Sequence, residues 1–150
     1  MDKRINIQGL EPDAYQAMIG LEKLLKASPI PLKLKSLIKI RASQINGCAY
    51  CIKMHTSEAL KQGESQLRIF TLSAWRESSL YSPLERVVLQ MTEEITLIAK
   101  QGLTEKTYQE AKEAFSDREI AQLILEIAVI NSWNRIAVST NMGFFPSGDN

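Results

Sequence analysis

Apolar residues recur at spacings of three and four along almost the whole chain, and strict alternation is nearly absent. That periodicity suits helices that each bury one face, and it leaves no segment for a sheet. The stretch "SPLERVVLQMTEEITLIAKQG" states the rule most clearly. Ser82 suits an N-cap, Pro83 suits the first helical position, and Glu85 completes a capping box. Leu84, Val87, Val88, Met91, Ile95 and Ile98 then form one apolar stripe, and Gly102 ends the helix. Pro12 opens an earlier helix with Ala14, Met18, Leu21 and Leu25 on one face, broken at "SPIP". A second runs from Leu32 to about Ile45, with Leu34, Leu37, Ile38 and Ile45 inward. Asn46-Gly47 is a turn, and a third helix runs from about Cys48 to Gly63. Residues 64–75 form one short helix with Leu67 and Phe70 inward. Thr104 opens a helix to about Phe115. Ser116 and Glu119 form a second capping box, opening an apolar helix to about Asn141 that Gly143 closes. The tail "FFPSGDN" reads as irregular. The expected fold is an all-α bundle of six or seven helices, one domain over residues 1–150.

The charges narrow the function classes. Eighteen basic and 17 acidic residues are interspersed, for a net charge of +1. No basic block offers a footprint for nucleic acid or an anionic membrane. The longest apolar run, "LILEIAVI", is short and interrupted by Glu126. The N-terminus lacks the apolar run of a signal peptide. These features point to the cytoplasm. There, two cysteines suggest catalysis, redox sensing or metal binding rather than a structural disulfide framework.

Both cysteines and the sole histidine fall within "CAYCIKMH". Cys48 and Cys51 are three apart, and Cys51 and His55 four apart, so on a helix the three share a narrow stripe, with Glu58 beside it. Cys48 lies in the first turn, where free backbone N–H groups favour an anion and lower a thiol pKa. His55 is one turn from Cys51, placed to take its proton. The helix terminus therefore favours Cys48 as the reactive thiol, and the imidazole favours Cys51. Two buried small hydrophobes would be the bland alternative. Zinc would need a fourth ligand that no second CxxC or histidine supplies. Covalent haem requires CxxCH, and Ile52 occupies the histidine position. The expectation is a site with no metal and no cofactor. Trp75, Trp133 and Tyr50 read as packing or interface residues, Trp133 and Trp75 with a substrate wall as the alternative. Arg41 and Gln44 could line a pocket or form surface pairs.

The stretch "LIKIRASQINGCAYCIKMHTSEALKQG" resembles the core motif of the alkylhydroperoxidase AhpD-like family, within the carboxymuconolactone decarboxylase superfamily. "LSAWRESSLYSPLERVVLQMTEEITLI" and "NSWNRIAV" extend the resemblance over most of the chain. It implies an all-helical subunit that assembles into homo-oligomers, trimers or hexamers. It also implies peroxidase or disulfide-exchange chemistry carried by Cys48, Cys51 and His55; with His55 as its nearest partner, Cys51 is the expected attacking thiol and Cys48 the resolving one. The implied partners are a hydroperoxide, a dithiol reductant of lipoyl or thioredoxin-like type, and a peroxiredoxin. One position departs from the pattern. The family's relay glutamate falls twelve residues before the first cysteine, where this chain has Ser36. Serine is no base at neutral pH, and general-base help is typically worth about 10²–10⁴-fold. Glu58, Glu85 and Glu93 are the carboxylates that could substitute. Three functions compete: a CxxC thiol peroxidase, a weakly active or non-catalytic redox sensor, and a lactone decarboxylase, which would need no CxxC.

Overall fold

A computed structural model describes residues 3–143 of the chain. Among the described residues eight helices follow one another: α1 (Ile7–Leu10), α2 (Pro12–Lys26), α3 (Leu32–Ile45), α4 (Ala49–Lys61), α5 (Gln66–Thr71), α6 (Pro83–Thr96), α7 (Glu105–Ala114) and α8 (Asp117–Ser139). A single 3₁₀ turn, Leu72–Ala74, extends α5. No strand occurs among the described residues. None of their helices is long and apolar enough to cross a membrane.

Helix α3 is the hub, packed by α4, α6 and α8. Its Ile38 and Ala42 meet Val88, Met91, Leu123, Ile127 and Ile130 of α6 and α8 in the main core. Its Leu37 and Ile40 turn to the other side and pack with Ala59, Leu72, Trp75 and Leu89. A helix enclosed on two sides cannot keep a narrow apolar stripe, which is why α3 buries Lys35, Ser36 and Ser43 as well. Each fully buried Leu or Ile here contributes roughly 1.5–3 kcal/mol.

The two capping boxes form as the sequence implies. The Ser82 N–H donates to Glu85 Oε2 at 2.8 Å, and the Glu85 N–H returns a bond to Ser82 Oγ at 3.2 Å. Ser116 and Glu119 repeat the arrangement at the start of α8.

Several local expectations are corrected. The count is eight rather than six or seven, because the single-turn α1, capped by Asn6, carries no apolar period. Leu67 and Phe70 face outward, 58% and 74% exposed, while Ile69 and Leu72 are the buried pair. Helix α6 ends at Thr96, so Ile98 lies beyond it and is exposed, as is Leu84 in its first turn. Asn141, at φ +51°, rather than Gly143, turns the chain after α8. Helix α2 faces inward through Tyr15, Met18, Ile19, Glu22 and Leu25, leaving Ala14 and Leu21 exposed. The tail read as irregular lies outside the described residues.

Candidate active site

The turn between α3 and α4 carries the first cysteine. Gly47 has φ +64°, a left-handed conformation that costs other residues energy. An added Cβ there would meet nothing within 4 Å, so the backbone angle, not crowding at the helix mouth, calls for glycine. A buried polar clamp holds the turn onto α8. Asn46 Nδ2 donates to Asn131 Oδ1 and Asn134 Oδ1, each at 2.9 Å. Asn134 Nδ2 donates to Ser43 Oγ at 3.0 Å, and the Cys48 N–H bonds the Ser43 carbonyl at 3.0 Å.

Cys48 is the N-cap of α4, and its sulfur accepts the Cys51 N–H at 3.3 Å. The two cysteines form a disulfide across a Cα–Cα separation of 5.4 Å, well inside the range that needs no backbone movement. Cys51, His55 and Ala59 follow on the buried face of α4. Ala137 of α8 packs against both cysteines, with Tyr50 and Met142 beside them.

Cys51 and His55 open onto a cavity of about 330 Å³. Cys48 does not line it. The walls include Tyr15, Tyr50, Met54 and Trp133, and most of the lining is apolar. Tyr15 and Trp133 meet edge to face, centroids 5.1 Å apart. Tyr50 is thus a cavity residue as well as a packing one, and Trp133 forms part of the wall. Trp75 is buried elsewhere, in the second core cluster.

His55 is 6% exposed, and its Nδ1 has no hydrogen-bond partner. The Glu58 carboxylate stands 3.7 Å from that nitrogen, too far for a hydrogen bond. Burial, helped by the Lys39 charge, pushes the imidazole pKa down to about 4, against the opposing pull of Glu58 and Glu22. His55 is therefore neutral at pH 7 and able to accept a proton.

Ser36 lines the same cavity and donates to Gln62 Oε1 at 3.2 Å. Glu85 and Glu93 do not reach it. Glu85 pairs with Arg68 at 2.5 Å. Glu93 gathers Trp75 Nε1 at 2.7 Å, Arg41 at 2.8 Å and Arg76 at 2.6 Å. Those bonds outweigh burial and keep both carboxyl groups below their ordinary pKa. Arg41 and its neighbour Gln44 accordingly stand away from the cavity.

Four charged lining residues were passed over by sequence reasoning, Glu22 and Lys26 of α2 and Lys35 and Lys39 of α3. Lys39 forms ion pairs with Glu22 and, at 3.2 Å, with Glu126 of α8. Trp133 Nε1 donates to Glu22 Oε2 at 3.2 Å. Burial pushes Glu126 above its usual pKa, and the Lys39 charge only partly offsets this. The available signal was register: Tyr15, Glu22 and Leu25 share one helical face, so Glu22 sits where an apolar residue belongs.

Residues 12–94 match the model of the carboxymuconolactone decarboxylase family. The chain belongs to that family. Its AhpD-like character is seen in a solved structure, ATU0492 of Agrobacterium tumefaciens, provisionally described as an antioxidant defence protein AhpD. The two are 37% identical, with a TM-score of 0.93, over 97% of this chain and 100% of that one. Protein YdfG of Bacillus subtilis (strain 168) is 42% identical, over 93% of this chain and 95% of YdfG. The debrominase Bmp8 superposes with a TM-score of 0.81 at 22% identity, over 93% of this chain and 75% of its own. That likeness is one of fold, and a family fold can host more than one chemistry. The matched segment runs through α4, so the CxxC pair and His55 fall inside the family region.

Proposed function

We propose that the protein is a CxxC-dependent thiol peroxidase acting in antioxidant defence. The observation that carries this reading is the placement of Cys51 and His55 on one buried face of α4, open to a mostly apolar cavity, with Cys48 directly behind. Cys51 is the attacking thiol, because it faces the cavity and His55 follows one turn later. Its proton passes to His55, and the thiolate attacks the outer peroxide oxygen. The O–O bond breaks, the alkoxide takes that proton and leaves as an alcohol, and Cys51 becomes a sulfenic acid. The Cys48 thiol displaces the sulfenic oxygen as water, giving the Cys48–Cys51 disulfide. A dithiol of lipoyl or thioredoxin-like type reduces the pair by exchange. Alternatively, the reduced pair hands its electrons to the disulfide of a peroxiredoxin and returns to the Cys48–Cys51 disulfide. The reading places the protein in the cytoplasm as a homo-oligomer, a trimer or hexamer.

The test is consumption of an organic hydroperoxide in the presence of dihydrolipoamide. The wild type is expected to turn over, and Cys51→Ser to fall to background. Cys48→Ser is expected to react once and stop at the sulfenic acid. A wild type that forms its disulfide once, without turnover, would move the reading to a redox sensor, which the Ser36 substitution favours. Activity on a lactone that survives Cys51→Ser would move it to decarboxylation.

A further inference from the structure

The cavity is a groove with two unlike ends. Tyr15 and Lys26 line it eleven residues apart along α2, and Cys51 and Gln62 line it eleven residues apart along α4. At about 1.5 Å per helical residue, each pair spans about 16 Å. Contacts across the groove fix which ends meet. Cys51 packs against Ala137 of α8, and Tyr15 meets Trp133 one turn earlier on that helix. At the other end Ser36 of α3 bonds Gln62, and Lys35 Nζ bonds the Lys26 carbonyl at 3.1 Å. Cys51 therefore stands at an end walled by aromatic and aliphatic side chains. Lys26 stands at the opposite end, beside Lys35, Ser36 and Gln62.

The charges follow the same division. Midway along the groove, Glu22 and Lys39 are paired with each other. Glu58 is turned towards His55, 3.7 Å from its Nδ1. Lys35 Nζ donates to the carbonyls of Leu25, Lys26 and Ser28 and meets no carboxylate. The exposed Lys26 ammonium also pairs with no carboxylate among the described residues. Ser36 gives its hydroxyl to Gln62 Oε1, which leaves the Gln62 amide nitrogen as a further donor. The far end thus offers two ammonium groups and an amide donor with one carboxylate, Glu58, between them and the imidazole.

We infer that the groove takes a straight-chain carboxylic acid, with its carboxylate on Lys26 and Gln62 and its chain laid along α2 and α4 towards Cys51. Its substrates are then hydroperoxides of such acids. A carbon chain with bonds of about 1.5 Å covers about 16 Å with about a dozen carbons. Apolar walls, Ile19 and Met54 among them, suit the methylenes, while the few polar groups at one end set the direction of entry. The Lys26 stem adds apolar surface beneath its charge. The substrate assignment rests on the peroxidase reading; the binding site does not. In that reaction the outer peroxide oxygen passes to Cys51, and the product is the hydroxy acid, still held by its carboxylate.

Binding is tested without peroxide. The oxidised protein is titrated with saturated acids from octanoate to hexadecanoate, below their micelle concentrations, and tryptophan fluorescence is read, since Trp133 lines the groove. Affinity is expected to rise about fourfold per added methylene and to level off at about a dozen carbons, where the groove ends. Dodecanol is expected to bind about fivefold more weakly than dodecanoate, the upper end for an exposed ion pair. Lys26→Met, which keeps the apolar stem, is expected to abolish that preference. Bound dodecanoate is expected to slow reduction of the Cys48–Cys51 disulfide by dithiothreitol, because its chain covers Cys51. Equal binding of acid and alcohol overturns the inference, as does a preference that survives Lys26→Met. An affinity that keeps rising to hexadecanoate, or a reduction rate that bound dodecanoate leaves unchanged, overturns it too. Should Lys26→Met not fold, the comparison of acid with alcohol and the protection of the disulfide decide the matter in the wild type. Turnover separates the two readings. With dihydrolipoamide, linoleic acid hydroperoxide is expected to exceed its methyl ester by about fivefold in kcat/KM. If the binding pattern holds but no hydroperoxide is consumed, the acid site stands and the peroxidase reading falls. If acid and ester are consumed alike, the peroxidase reading stands and the acid preference falls.

Discussion

Changing His55 to glutamine should remove a distinct loss of stability in mild acid. In the native protein burial holds the imidazole at about 4, against 6.5 for the unfolded chain. Below pH 6.5 the unfolded state takes up a proton that the folded state refuses, so the unfolded state gains and stability falls as pH falls. The loss begins near 6.5 and is complete below 4. Integrated over that interval it amounts to about 3 kcal/mol, of which about 2 kcal/mol is lost by pH 5. Urea unfolding of the oxidised protein at pH 7.5 and pH 5 measures it. The wild type should lose about 2 kcal/mol more than His55→Gln between the two conditions. Glu85, Glu93 and Glu94, whose carboxyl groups are held below their ordinary pKa, lose their contribution mainly below pH 4.5. Glu126, raised by burial, works in the opposite sense. All four act alike in both proteins and cancel in the comparison. Equal losses in wild type and variant would refute the argument, because they would mean that His55 gains its proton as readily folded as unfolded.

Three further outcomes are expected. Gly20 lies inside α2, and an added Cβ there meets nothing within 4 Å, so Gly20→Ala should stabilise the protein by about 0.5–1 kcal/mol. Gly47→Ala should destabilise it by about 1 kcal/mol despite equal space, because its φ is +64°. Chemical denaturation of the two variants reads the opposite signs. Asn134→Leu would leave Ser43 Oγ without its donor and Asn46 Nδ2 with one acceptor fewer, at a cost of about 2–3 kcal/mol. Calorimetry should find a melting point lower by roughly 5–10 °C.

What the sequence disclosed about the fold divides along a physical line. Features that depend on neighbours within one helix were legible. The capping boxes at Ser82 and Ser116 are three-residue contacts, and both form. Cys51 and His55 are one turn apart on any α-helix, and they share a face here. Features set by what packs against a helix were not. Leu67 and Phe70 satisfy a helical period as well as Ile69 and Leu72 do, and only the position of α3 and α6 decides which pair is covered. Lys35, Ser36 and Ser43 look like surface residues on α3 until that helix is seen to be enclosed on two sides.

The candidate site shows the same division at the level of chemistry. Glu58, Glu85, Glu93 and Glu22 are four glutamates on helices, and nothing in their immediate sequence separates a relay from a structural anchor. Glu93 is held by two arginines and an indole, so its charge is spent within the scaffold. Glu85 is likewise engaged by its own N-cap and Arg68. Glu22 also has two partners, Lys39 and Trp133, and these line the cavity with it and with Cys51, while Lys39 is shared with the buried Glu126. Glu22 therefore places its charge in the wall of the Cys51 cavity, whereas Glu93, bonded to Arg41 of α3, holds α3 and α6 together. The difference lies in the partners of their partners, which no local spacing encodes.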